Sequence, residues 1–139
     1  MLTGQDDVSL NKAAIIERAL RRMKEEYAAD PQLKNYTHID ALILNIERAC
    51  QAAIDLAMHL VAKHRLGIPQ NSAETFMLLF RAGIINEQTA RDMVAMTGFR
   101  NVAIHEYQSL SMNVVHMIAR EKWKSLVVFC KETGTLIQP

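Results

Sequence analysis

Apolar residues recur at helical intervals along most of this chain. Ile16, Leu20, Met23 and Tyr27 follow one another at spacings of four, three and four, which predicts a first helix from about Ser9 to Ala29. Asp30-Pro31 stops it, because a residue before proline is pushed out of the helical region. The second helix is the best marked. "THID" at 37–40 has the form of a capping box, with Thr37 as N-cap and Asp40 three residues on. Ile39, Leu42, Ile43, Ile46, Ala49, Cys50, Ala53, Leu56, Ala57 and Leu60 then fill an arc of roughly 160°, as the central helix of a bundle requires. Leu66-Gly67-Ile68-Pro69 ends it, with glycine at the C-cap and proline beyond.

A shorter helix is expected from Ser72 or Ala73 to Arg81, closed by Gly83. Asn86 then caps a long segment running through "EQTARDMVAMTGFRNVAIHEY", and a last helix follows Ser111. In that last helix Met112, Val115, Ile118, Ala119, Trp123, Leu126 and Cys130 recur at spacings of one, three or four, up to Gly134. No segment reads as a strand, and neither a repeat nor a linker-like run divides the chain. The expectation is all-α: a single domain over 1–139, folded as an up-and-down helical bundle of four to five helices with short connections.

Composition changes this picture little. Half of the 139 residues are hydrophobic and 22% are charged, which fits an ordered domain with its own core and excludes a disordered one. Sixteen basic against fifteen acidic residues give a net charge of +1, so charge alone predicts no nucleic-acid binder, though it leaves room for a small basic site. Cys50 and Cys130 both fall on apolar stripes and read as buried thiols of a reducing compartment. "MLTGQDDVSL" lacks the basic and apolar regions of a secretory leader. No run approaches the roughly 18 apolar residues of a membrane span. The expected location is cytoplasmic, without a membrane partner.

Candidate chemistry gathers in "FRNVAIHEYQSL", residues 99–110, where Arg100, Asn101, His105, Glu106 and Tyr107 interrupt an apolar region. On a regular helix Arg100 and Tyr107, seven apart, share a face about 10 Å apart along the axis. His105 lies about 140° from Arg100, whereas Asn101 and His105 are neighbours at a spacing of four. Spacing therefore does not bring Arg100 to His105; a helix distortion or a second copy of the chain must do so. The residue types are chemically coherent nonetheless. Arginine offers a planar, permanent positive charge to phosphate, and histidine exchanges a proton near neutral pH. RNA carries its own nucleophile in the 2′-hydroxyl, so such a pair can cleave it without a metal. Read from spacing alone, the stretch is either a solvated helix face, an interface or a catalytic site.

Other polar groups carry weaker signals. His59 and His64 lie five apart and share no face, which makes them poor metal ligands, and His38 and His116 read as structural or exposed. No CxxC, HExxH, P-loop or Gly-rich nucleotide fingerprint occurs, so neither a metal nor a cofactor is expected. Asn45, Arg48 and Asp55 edge the polar arc of the second helix, as a solvated face or as a polar wall of a dimer cleft. Arg18, Arg21 and Arg22 belong to a mixed-charge surface that can guide RNA or an acidic partner. Leu44 and Met58 lie on the polar arc of the second helix and point to an interface.

Arg100-Asn101-Val102-Ala103-Ile104-His105-Glu106-Tyr107 has the form RN-x4-H-x-Y. With "ALILNIERACQAAIDLAMHL" at 41–60, the following "RLGIPQNSAETFMLL" and the helical layout, it resembles the HepT-like branch of the HEPN ribonucleases. These are the toxin half of HepT/MntA toxin–antitoxin modules, and the likeness covers most of the chain. The resemblance implies a HEPN-like homodimer whose facing motifs form a metal-independent RNase cleft. It implies Arg100 and His105 as the catalytic pair and Asn101 as a supporting residue. Tyr107 is then the tyrosine that an MntA-like minimal nucleotidyltransferase antitoxin AMPylates to silence the toxin. The nucleotide's bulk and negative charge beside Arg100 would fill and neutralise the cleft. Two alternatives stand beside this reading: a non-catalytic helical interaction partner of a minimal nucleotidyltransferase, and a plain structural dimer ordered by the polar cluster.

Overall fold

Asp6 opens the first helix by accepting the Ser9 backbone N–H at 2.8 Å. In the computed structural model, which describes residues 6–139, α1 spans Asp7–Ala29, two residues longer at its start than the periodicity suggested. Residues 1–5, the first half of the segment read above for a leader, lie outside the described residues. Then follow α2 (Tyr36–Lys63), α3 (Ser72–Arg81) and α4 (Glu87–His105). A 3₁₀ turn (Tyr107–Ser109), α5 (Met112–Met117), a π segment (Ile118–Lys122) and α6 (Lys124–Glu132) complete the chain. Among the described residues there is no strand.

α1 and α2 form an antiparallel hairpin held along its length. Asp6 bonds His59 Nε2 at 2.6 Å and Lys63 Nζ at 3.1 Å, Lys12 meets Asp55 at 3.5 Å, and His38 meets Glu26 at 3.3 Å. Between these polar edges, Ile16, Leu20 and Met23 pack on α2. All ten apolar positions expected on the inner face of α2 are buried, and Asn45, Ala52, Ile54 and Val61 are buried beside them. The helix is therefore central and enclosed on more than one side. Phe76 of α3 meets Phe129 of α6 edge to face, with ring centroids 5.5 Å apart, closing the core between the two shorter helices.

Three boundaries depart from the sequence expectation. Asn35, not Thr37, caps α2: its Oδ1 accepts the N–H groups of Thr37 at 2.9 Å and His38 at 3.4 Å. Asp40 is thus released from a capping box. The C-terminus of α2 closes on Arg65 rather than Gly67. Arg65 takes φ +54°, while Arg65 and Leu66 N–H reach back to Ala62 and Val61 carbonyls at 3.2 and 3.0 Å. Gly83, as expected, takes the same left-handed position after α3.

The last helix is not one piece. Trp123 N–H bonds the carbonyl of Ile118 at 3.0 Å, a five-residue step that makes the π segment. An extra residue in that turn keeps Ile118, Ala119, Leu126, Phe129 and Cys130 buried on one side, while Met112 at the helix start is exposed. A recurrence of threes and fours tolerates such an insertion, so the pattern along the chain conceals it. Among the described residues no helix is long and apolar enough to cross a membrane.

Candidate functional site

α4 runs back along α2, and its C-terminal turn carries the polar stretch. The expected continuation of this helix through Tyr107 fails by two residues. It ends at His105, with Glu106 at φ −141° and ψ 51° as the last cap, and the chain tightens into the 3₁₀ turn. Glu106 N–H still reaches Val102 at 2.8 Å, and Leu110 N–H bonds the Tyr107 carbonyl at 3.1 Å. The turn swings the Tyr107 ring away from the face it would share with Arg100 on a straight helix. Its hydroxyl donates to the Asp40 carboxylate near the start of α2.

Arg100 is held against α2. Its Nε is buried and has no hydrogen-bond partner, and Nη1 donates to Asn101 Oδ1 at 3.3 Å. Among the described residues it makes no salt bridge. Its charge is felt by two side chains of α2. Burial raises the Glu47 carboxyl above its ordinary range, and the nearby guanidinium pulls it partly back. Burial likewise pushes the Cys50 thiol up to about 12, again with Arg100 acting in the opposite direction. A fixed guanidinium lacking a tight carboxylate partner keeps its charge available to an anion.

His105 sits beyond it, exposed, with no side-chain hydrogen bond among the described residues. With Ile104, Glu106, Tyr107, Gln108 and Ser109 it lines a recess of about 440 Å³. Within one chain, then, the structure pairs Arg100 with Asn101 and Tyr107 with Asp40, and makes no contact between Arg100 and His105. A second groove, about 580 Å³, starts from the other side of Tyr107 and Gln108 and is walled by Lys34, Tyr36, Ile39 and Leu110. Tyr36 is 81% exposed beside it.

Of the residues in this neighbourhood, the sequence reading passed over Glu47 and assigned Asp40 to a capping box instead. The signal was present: they are seven apart on α2, as Arg100 and Tyr107 are seven apart in the motif. Two antiparallel segments with matching intervals bring acid to base at one level and acid to phenol at the other.

The remaining candidates resolve into structural roles. Asn45 is buried and donates to the Ala41 carbonyl at 2.8 Å, so it is not on a solvated face. Arg48 is exposed and joins Arg18 and Arg22 around a recess of about 270 Å³ between α1 and α2. Asp55 is taken by Lys12 and Gln51, and Arg21 by the Gln138 carbonyl. His59 and His38 are held by Asp6 and Glu26, and His116 Nδ1 meets the Tyr27 hydroxyl at 3.0 Å, while His64 caps α2 and is exposed. Both cysteines are free and buried. Among the described residues no three His, Cys, Asp or Glu side chains gather as a metal site. Leu44 and Met58 are exposed on α2.

An arginine without a carboxylate partner among the described residues, an exposed histidine and an accessible tyrosine thus gather at one helix-to-turn junction of an all-α bundle. Comparison with known proteins carries this further. The family described as Ribonuclease HepT-like matches residues 13–133, and the chain belongs to that family. It is 38% identical over 115 residues to the mRNA nuclease HepT of Shewanella oneidensis, covering 81% of this chain and 86% of that protein. It is 28% identical over 105 residues to the tRNA nuclease HepT of Aphanizomenon flos-aquae, covering 74% and 71%. Among solved structures it resembles the tri-AMPylated Shewanella oneidensis HEPN toxin in complex with its MNT antitoxin. That match has a TM-score of 0.88 and 32% identity, over 92% of this chain and 97% of that one. A toxin–antitoxin structure with AMP-PNP aligns with a TM-score of 0.87 and 31% identity, over 91% and 97%.

Proposed function

We propose that this chain is a ribonuclease toxin that cleaves RNA with Arg100 and His105 in a cleft between two copies. A minimal nucleotidyltransferase antitoxin is its partner and silences it by adding AMP to Tyr107. The observation that carries the catalytic part is the state of Arg100: anchored against α2, with its buried Nε unpaired and its charge uncommitted to any carboxylate among the described residues. His105 is open to solvent five residues further on, where a bound strand can reach it.

In this mechanism the 2′-hydroxyl of RNA attacks the adjacent phosphorus and the 5′-oxygen of the next nucleotide leaves. His105 moves a proton from the attacking oxygen or to the leaving one. Arg100 offsets the charge that builds on the phosphoryl oxygens, with Asn101 fixing one edge of its guanidinium. No metal is needed, because the nucleophile belongs to the substrate. The homodimer supplies what one chain does not: facing copies place the arginine of one motif near the histidine of the other. Leu44 and Met58 of α2 and Ile104 of α4 are exposed apolar side chains that suit burial between copies.

The test is RNA cleavage by purified protein in excess EDTA. Cleavage is expected to fall by about 10²–10⁴-fold in His105→Ala, with helical content unchanged. Wild-type cleavage by both His105→Ala and Arg100→Ala would sink the assignment. Stable binding to the nucleotidyltransferase with no cleavage by unmodified protein would favour a purely binding role instead.

A further inference from the structure

We propose that Asp40 is the general base for the transfer of a nucleotide onto Tyr107, so that the modified chain supplies a catalytic group for its own silencing. The inference rests on the reading of Tyr107 as the modified residue. It starts from the placement of the Asp40 carboxylate, which accepts a hydrogen bond from the Tyr107 hydroxyl. Among the described residues this is the carboxylate's sole side-chain partner, and no cation pairs with it. Both residues are exposed, Tyr107 by 44%, so a second protein can approach the pair from solvent.

The chemistry requires such a group. Tyr107 Oη must attack the α-phosphorus of a nucleoside triphosphate and lose its proton as it does so. Burial, first, and then the Asp40 contact push the phenol up to about 12, so very little phenolate exists beforehand at neutral pH. Proton removal must therefore accompany attack. The bond from Oη to the α-phosphorus forms, the bond from that phosphorus to the oxygen bridging to the β-phosphate breaks, pyrophosphate leaves, and the proton passes to Asp40. The groove beside Tyr107, with Lys34 and exposed Tyr36 on its wall, leaves space for the nucleoside.

The sequence placed Asp40 in a capping box, where its carboxylate would serve α2. Asn35 takes over that work, and Asp40 sits in the second turn of α2 with its carboxylate turned to the phenol.

The experiment follows single-turnover AMP addition by intact mass, using the full-length chain, ATP and a saturating MntA-type nucleotidyltransferase. Asp40→Asn keeps an oxygen acceptor for the phenol but removes the base; the rate is expected to fall by about 10²–10⁴-fold. Affinity for the nucleotidyltransferase and thermal stability should hold, and Asp40→Glu should recover part of the rate. Wild-type rates in Asp40→Asn overturn the base assignment. A slow Asp40→Ala beside a fast Asp40→Asn also overturns it, since the contact then only positions the ring. Tyr107→Phe separates the underlying reading: if that variant is modified as fully as wild type, Tyr107 is not the target and both proposals fall.

Discussion

The α1–α2 hairpin and the junction from the end of α4 into α5 are built on opposite principles. In the hairpin each acidic residue that faces the partner helix has an acceptor's work to do: Asp6 caps α1 and holds His59 and Lys63, Asp55 holds Lys12, Glu26 holds His38. The apolar stripe between them is continuous. At the junction the helix ends early, and among the described residues Arg100 Nε is buried without a partner and the His105 side chain makes no hydrogen bond, while Tyr107 is carried on a 3₁₀ turn. A satisfied region has nothing left to offer a substrate. The junction forgoes stability of the order of about 1–3 kcal/mol for one orphaned buried donor, and keeps a charge and an imidazole free.

The comparison breaks most readily at the hairpin core. Leu42 is fully buried on the inner face of α2, in its second turn. Leu42→Ala should cost about 2–5 kcal/mol in chemical denaturation, as large-to-small changes in a closed core do. A cost well under 1 kcal/mol would mean that the hairpin is not the stable half.

A smaller and pH-confined effect belongs to Asp6. The Ser9 N–H, first, and then the His59 contact hold its carboxyl well below the usual carboxylate range. A group depressed in the folded state contributes stability that is complete above its unfolded value of about 3.9, and that is lost as pH falls through the folded value. Asp6→Asn should therefore lower Tm at pH 7, and the gap to wild type should close as the pH drops below about 3.9. A gap that widens with acid contradicts the sign of this linkage.

The smallest stability effect is expected where the activity effect is large. Arg100→Met removes the orphaned Nε while keeping much of the apolar stem, so stability should change by less than about 1 kcal/mol, or rise. RNA cleavage should nonetheless fall by at least about 10²-fold. A variant that loses several kcal/mol would make Arg100 a structural residue of the bundle.

Much of the bundle was legible because helical burial leaves a periodic trace. The ten apolar positions assigned to the inner face of α2 are all buried, and Asn86 and Gly83 cap the elements they were expected to cap. The motif residues were legible as chemistry, from residue type and family likeness. Their contacts were not. Thr37 and Asn35 are both good caps two residues apart, and the choice between them depends on how α2 seats on α1. Choosing Asn35 is what frees Asp40. The break after His105 leaves no clear mark in the local sequence either, since Glu106, Tyr107 and Gln108 all tolerate a helix.

By itself, then, the sequence determined the helices, their order, the buried faces and the set of residues able to bind phosphate and move protons. These follow from local backbone preference and from the period at which apolar side chains return to one side. The five-residue spacing also implied that Arg100 and His105 do not meet within one chain. Tertiary structure alone decided that Arg100 lies near Glu47 and Cys50 and that Tyr107 reaches Asp40. Such contacts join residues fifty or more positions apart, where the antiparallel seating of α4 on α2 and a two-residue shortening of α4 set the geometry, and no local spacing encodes either.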